Sequence, residues 1–198
     1  MLLIRLTNSI IFLFTVACFL LGFRKEGIWD LSAGLHSLRY FTILSNLLNA
    51  VAAVLVAITV TEQGLPFGVW LLKYVAAAAV TVTFVTVMVF LGPTLGYKSL
   101  LEGSGFYYHV TGPLLAVISF CFLERFHALD FPLLLLGLLP VVLYEVLYAW
   151  KVLFCPEERR WEDFYGYTKG GHWLLSACVM LLGTVMICVL LSCLCRWG

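Results

Sequence analysis

Six stretches of the chain, at about 6–22, 40–60, 68–92, 108–123, 131–150 and 173–192, stay apolar for the roughly 20 residues that a helix needs to cross hydrocarbon. Nothing else in the sequence constrains the fold as strongly. In a bilayer core the backbone must satisfy its own hydrogen bonds, so each run predicts a helix. The reading is an all-α polytopic protein, a bundle of six transmembrane helices forming one integral membrane domain over residues 1–198. Apolar residues make up 63% of the chain and charged ones 12%, against about 45–50% and 25% in soluble domains. Six crossings use about 120 residues and leave about 78 for tails and connections. No soluble domain is expected beside the bundle. The 12 basic and 11 acidic groups nearly cancel, so nucleic acid is not an expected partner.

Charge, proline and tryptophan give the same parsing. Of the 23 charged residues only Lys73 and Glu145 fall inside a run, as expected when a charge at the bilayer centre costs at least ~2.5 kcal/mol. Pro66 and Pro93 bracket the third run, and Pro132 and Pro156 the fifth. Pro113 and Pro140 are interior and predict kinks in the fourth and fifth helices. Trp29, Trp70, Trp150, Trp161, Trp173 and Trp197 all lie at or beyond run ends, where an indole prefers the headgroup level.

Six crossings place both termini on one side, with the short connections 61–67 and 124–130. The opposite side carries the longer segments 23–39, 93–107 and 151–172, and eight basic residues against four, so the positive-inside rule makes it cytoplasmic. Ile28, Leu31, Leu35 and Leu38 suit a short helix in the interface, either a lid or a loop resting on lipid. The first run lacks a clear cleavage site and reads as a retained helix. Seven cysteines without CxxC pairs or histidine spacing point to no metal, and no cofactor motif occurs.

Polar exceptions inside the runs carry the functional information. Thr42, Ser45, Asn46 and Asn49 stand at i, i+3, i+4 and i+7, on one stripe that must face other helices or a cavity. The stripe is either interhelical glue or part of a site. In the fourth run, His109 lies at the same depth as Thr42, and Pro113 removes the amide that would bond the His109 carbonyl. Gly112 and Ala116 offer a neighbouring helix close approach. Glu145 is either protonated, bonded to Tyr144, Tyr148 or Lys73, or the group that orients His109, and Lys73 is expected to snorkel to the interface. The stretch FYGYTKGGHW is either a capping loop with Tyr165 and Tyr167 as donors or a glycine-rich turn at Gly166, Gly170 and Gly171. His172 then opens the sixth run on the His109 side.

The stretches RYFTILSN (39–46), YHVTGP (108–113) and FYGYTKGG (164–171) resemble the androgen-induced and androgen-dependent multi-pass membrane proteins, most of all their microbial relatives of about six spans. The resemblance implies hydrolysis of fatty acid esters of hydroxy fatty acids by an intramembrane threonine nucleophile and a histidine, which fall on Thr42 and His109.

A threonine hydroxyl is a weak nucleophile and needs an adjacent base, a role open to neutral His109. Ser45 and Asn46 are the expected oxyanion donors, with Glu145 as orienter and Asn49, Tyr144, Tyr148, Tyr165 and His172 as further pocket residues. The leading expectation is an intramembrane lipid-ester hydrolase acting on a membrane lipid or lipid ester without a cofactor. The alternatives are a non-catalytic lipid-binding or transport bundle and a membrane acyltransferase; lipid identity and oligomeric state stay open at this level.

Overall fold

A computed structural model describes residues 1–25, 27–168 and 172–197. Gly170 and Gly171, two of the expected turn glycines, lie outside the described residues. Among those described, six helices are long and apolar enough to cross a membrane. In chain order the elements are α1 (Leu2–Leu21), a hairpin of β1 (Arg24–Lys25) and β2 (Ile28–Trp29), α2 (Leu31–Ser37) and α3 (Phe41–Thr59). They continue as α4 (Phe67–Leu95), α5 (Tyr97–Leu101), α6 (Ser104–Leu123), α7 (Phe131–Phe154) and α8 (Trp173–Trp197). The protein is an all-α, multi-pass membrane bundle.

The burial pattern is that of a protein whose solvent is lipid. Val89, Phe131, Phe154 and Met186 are each more than 70% exposed, while the polar residues Asn8, Thr15, Asn46, Asn49 and Ser119 have no exposure at all. Apolar burial gives little drive for helix association in lipid, so close packing and interhelical hydrogen bonds carry it. Helix α3 packs against α1 and α4, and α4 reaches α6, α7 and α8 as well. The run Ala76–Val80 explains why α4 can be central: short side chains let its neighbours approach closely, and none of the five residues is exposed.

Each proline beyond the first turn of a spanning helix follows a non-α turn. Pro93 and Pro113 start new α segments after the π turns Val87–Leu91 and Tyr107–Thr111, and Pro140 follows the 3-10 turn Leu136–Leu138. A π turn lengthens the hydrogen-bond step from four residues to five. The Gly112 amide accordingly bonds the Tyr107 carbonyl. In that register the carbonyl that Pro113 leaves bare is Tyr108's, not His109's. Asn46 Nδ2 takes it up at 3.1 Å.

Three further expectations are corrected. Pro93 lies inside α4 rather than at its end, because the π turn absorbs the missing amide. Lys73 does not snorkel: it is fully buried and donates to Asn49 Oδ1 at 3.3 Å. Trp70 is at a helix end but turned inward, 1% exposed, with its indole N–H donating to the Glu124 carbonyl at 2.9 Å. Segment 24–39 forms a short helix only from Leu31. Asp30 caps it by accepting from the Ala33 amide, and Ile28, Leu31 and Leu35 stay exposed.

Candidate functional site

At the long-loop end of the bundle, Thr42 and His109 line one cavity of about 380 Å³. Its walls are Cys18 and Phe19 from α1, Ile43 from α3, Leu91 and Leu95 from α4, and Leu100 from α5. Thr42 reaches it because the chain enters α3 extended at Tyr40, so the hydroxyl sits in the first helical turn. His109 reaches it from the π turn of α6. π turns recur at functional positions because they rotate a side chain out of α register.

The imidazole is fixed. Its Nδ1 lies 2.7 Å from the Leu100 carbonyl. A carbonyl can only accept, so Nδ1 carries the proton and donates, which leaves Nε2 with a free lone pair. Gly105 makes this possible, since a Cβ there would strike the Leu100 carbonyl. A general base held by a third group is the arrangement that activates a hydroxyl nucleophile. The Leu100 carbonyl holds the His109 ring as a carboxylate would in such an arrangement.

The remaining residues of the polar stripe turn away from the cavity. Ser45 Oγ donates to the Thr42 carbonyl and shares a 2.9 Å hydrogen bond with Thr83 Oγ1. Asn46 directs both amide hydrogens at backbone carbonyls, those of Thr42 at 2.8 Å and Tyr108 at 3.1 Å. Asn49 faces Lys73. None of the three lines the cavity. Sequence reasoning had no way to find one residue that does: Tyr108 lines the cavity, and its hydroxyl is buried with no hydrogen-bond partner. The only sequence signal was its place beside His109.

Glu145 occupies a separate void of about 10 Å³, bordered by Phe41, Tyr144, Tyr148, Tyr165 and Tyr167. Its Oε1 is buried without a partner. Tyr144 donates to the Arg39 carbonyl at 2.8 Å, and Tyr148 to the Glu162 carbonyl at 3.2 Å. His172 is exposed at the start of α8 and lines neither space.

The loop over the bundle mouth is held by Asp163. Its carboxylate accepts from the Tyr167 amide at 2.8 Å and from the Thr168 amide and hydroxyl at 2.8 and 2.6 Å. Burial opposes its ionisation, but these hydrogen bonds outweigh burial and hold the carboxyl below the usual aspartate value. Gly166 supplies the left-handed turn, φ +74°. The loop so shaped lays Phe164 and Tyr165 over the cavity. Tyr165 also borders the Glu145 void and an apolar groove of about 430 Å³ between α4 and α8. Burial pushes its phenol up to about 12, with Glu145 adding to the shift and a hydrogen bond with Tyr144 opposing it. Burial and the Glu162 charge likewise raise Tyr40, which borders the same cavity. Both phenols are therefore protonated donors at neutral pH.

The chain matches no known family model, and no curated protein or solved structure is significantly similar to it.

Proposed function

We propose that the protein is an intramembrane lipid-ester hydrolase in which Thr42 is the nucleophile and His109 the base. One observation carries this reading: the two residues line a single cavity at the mouth of the bundle, and the Leu100 carbonyl fixes His109 in the tautomer whose Nε2 can accept a proton. The Thr42 hydroxyl gives its proton to Nε2 as its oxygen attacks the ester carbonyl. The resulting imidazolium returns the proton to the departing alkoxide, which leaves an acyl ester on Thr42. Water then repeats the cycle and releases the acid. The tetrahedral oxyanion needs a donor aimed into the cavity. With Ser45 and Asn46 engaged elsewhere, the unpartnered Tyr108 hydroxyl takes that role.

A lipid substrate suits the surroundings. The cavity walls are largely apolar, and Tyr165 borders both the cavity and the 430 Å³ groove, whose lining of Val82, Val89, Phe90, Leu175 and Val179 suits an acyl chain. The ester then approaches water at the long-loop end while the tail remains in hydrocarbon. The resemblance of residues 39–46, 108–113 and 164–171 to the androgen-induced and androgen-dependent proteins supports the same chemistry, and with it fatty acid esters of hydroxy fatty acids as substrates.

In this reading both termini share one side of the membrane and the long-loop side faces the cytoplasm. Arg5 donates to the Val60 carbonyl at 2.8 Å and Arg196 to Leu129 at 3.5 Å, which supports grouping the two ends with the short connections. The test is covalent labelling of the detergent-solubilised protein with an alkyl phosphonate probe. Thr42→Ala and His109→Ala are each expected to abolish labelling while leaving the elution profile unchanged. Full labelling of both variants would overturn the assignment.

A further inference from the structure

At the short-loop end of the bundle, a cavity of about 370 Å³ gathers three basic side chains: Arg125 and His127 from the connection after α6, and Arg196 from the last turn of α8. The ester chemistry uses none of them. The inner wall is aromatic, made by Trp70 of α4 and Phe120 of α6, each 1% exposed and with ring centroids 5.6 Å apart. Ser192, one turn before Arg196, lines the cavity as well.

The connection that carries Arg125 is held at several points. Its Glu124 carbonyl accepts from the Trp70 indole and from the Phe126 amide, both at 2.9 Å. His127 Nε2 donates to the Leu65 carbonyl at 2.9 Å, and its ring packs edge-on against Phe67 and Trp70, with centroids 5.4 and 5.2 Å away. Arg196 reaches the same connection from α8, with Nη2 donating to the Leu129 carbonyl at 3.5 Å. The two arginines therefore stand on a fixed wall.

The charge of that wall is one-sided. Glu124 is the one acid among the described residues of the lining, and it has no exposure. Its Oε1 accepts from Asn8 Nδ2 of α1 at 2.6 Å and from the Ser119 hydroxyl. Asp130, the next acid along the chain, does not border the cavity. Arg125 and Arg196 are both exposed, and each guanidinium carries five N–H donors, of which Arg196 gives one to Leu129.

A ligand suited to this space is anionic, accepts several N–H bonds from planar forks, and has an apolar part for Trp70 and Phe120. Phosphate meets the first two conditions, because guanidinium pairs with it bidentately. Free phosphate lacks the third. The depth of the cavity supplies the source: it joins the first turn of α4 to the last turn of α8, where spanning helices leave hydrocarbon and lipid headgroups lie.

We propose that this cavity binds the phosphate of an anionic membrane lipid. Arg125 and Arg196 clamp the phosphate oxygens, and the glycerol with its first methylenes rests on Trp70 and Phe120. The site lies at the end of the bundle opposite Thr42 and His109 and does not rest on the hydrolase reading.

The test uses the full chain in a neutral detergent, titrated with phosphatidylglycerol or phosphatidylcholine, with bound lipid read by native mass spectrometry. Phosphatidylglycerol adducts are expected to form well below the concentration at which phosphatidylcholine adducts appear, and inorganic phosphate in large excess should not displace them. Arg125→Gln and Arg196→Gln should each weaken phosphatidylglycerol binding about 10-fold, the usual worth of one hydrogen bond to a charged group. Arg159→Gln removes the same charge from an exposed position on the long-loop side and should bind like the wild type. Equal adducts with the two lipids overturn the proposal without recourse to any variant. So does displacement by inorganic phosphate, which would mean that the anion alone is recognised. Undiminished binding in both cavity variants, or an equal loss in Arg159→Gln, overturns it too.

Discussion

At the scale of single residues, the candidate site depends on which hydrogen bonds are already taken. Thr42, Ser45 and Asn46 have the same standing in the sequence, as polar residues on one helical stripe. Their partners separate them. Ser45 bonds Thr83, Asn46 bonds two carbonyls, and only the Thr42 hydroxyl is left to a cavity shared with His109. Tyr108→Phe keeps the ring and removes the one donor of that lining which is buried and unpartnered. It is expected to lower ester turnover by about 10²-fold, the usual effect of losing one oxyanion donor, with KM little changed. Steady-state hydrolysis of a long-chain ester would measure it, and an unchanged kcat would remove Tyr108 from the mechanism. The stripe itself was legible from spacing. The division of labour within it was not, because it depends on Thr83 and Tyr108, residues 38 and 62 positions away from their partners.

At the scale of elements, the π turn before Pro113 and the loop over the mouth decide what reaches the cavity. Gly112 is pressed against α3: a Cβ there would stand 2.9 Å from Asn46 Oδ1 and 3.0 Å from the Tyr107 carbonyl. Gly112→Ala is therefore expected to destabilise the protein by about 1–3 kcal/mol through overpacking, read as a lower Tm in detergent. An unchanged Tm would mean that α3 and α6 do not meet there. The loop depends on Asp163, whose folded-state carboxyl is held below its ordinary value. A depressed carboxyl contributes stability that is fully present above the unfolded value of about 3.9 and is lost as pH falls through the lower folded value. Protection of the Tyr167 and Thr168 amides against hydrogen exchange should therefore collapse below about pH 4 in the wild type. Asp163→Asn should lose it at neutral pH. The prolines announced an interruption in α6 from sequence alone; its π character, which exchanges the freed carbonyl of His109 for that of Tyr108, appeared only in the folded helix.

At the scale of the whole molecule, one residue joins three spanning helices. Glu124 accepts from Asn8 of α1 and Ser119 of α6, and its carbonyl accepts from Trp70 of α4. Glu124→Leu leaves the Asn8 amide and the Ser119 hydroxyl without their acceptor, and each buried donor left unpaired costs about 1–3 kcal/mol. The expected result is a large fall in Tm; a small one would show that packing alone holds α1, α4 and α6 together. Hydropathy placed Glu124 just outside the fourth run and so assigned it to water, since a sliding count records the distance from apolar neighbours and not what lies above the residue in the fold. The same limit hid the burial of Lys73. What the sequence determined by itself is the class of molecule: the number of helices, their approximate ends and the stripe that must avoid lipid, all of which follow from local periodicity against a fixed hydrocarbon thickness. What only the tertiary structure decided is which polar groups satisfy one another and which are left for a substrate or for water. That depends on contacts across helices, and a buried polar group's role is set by the partner it lacks as much as by its own chemistry.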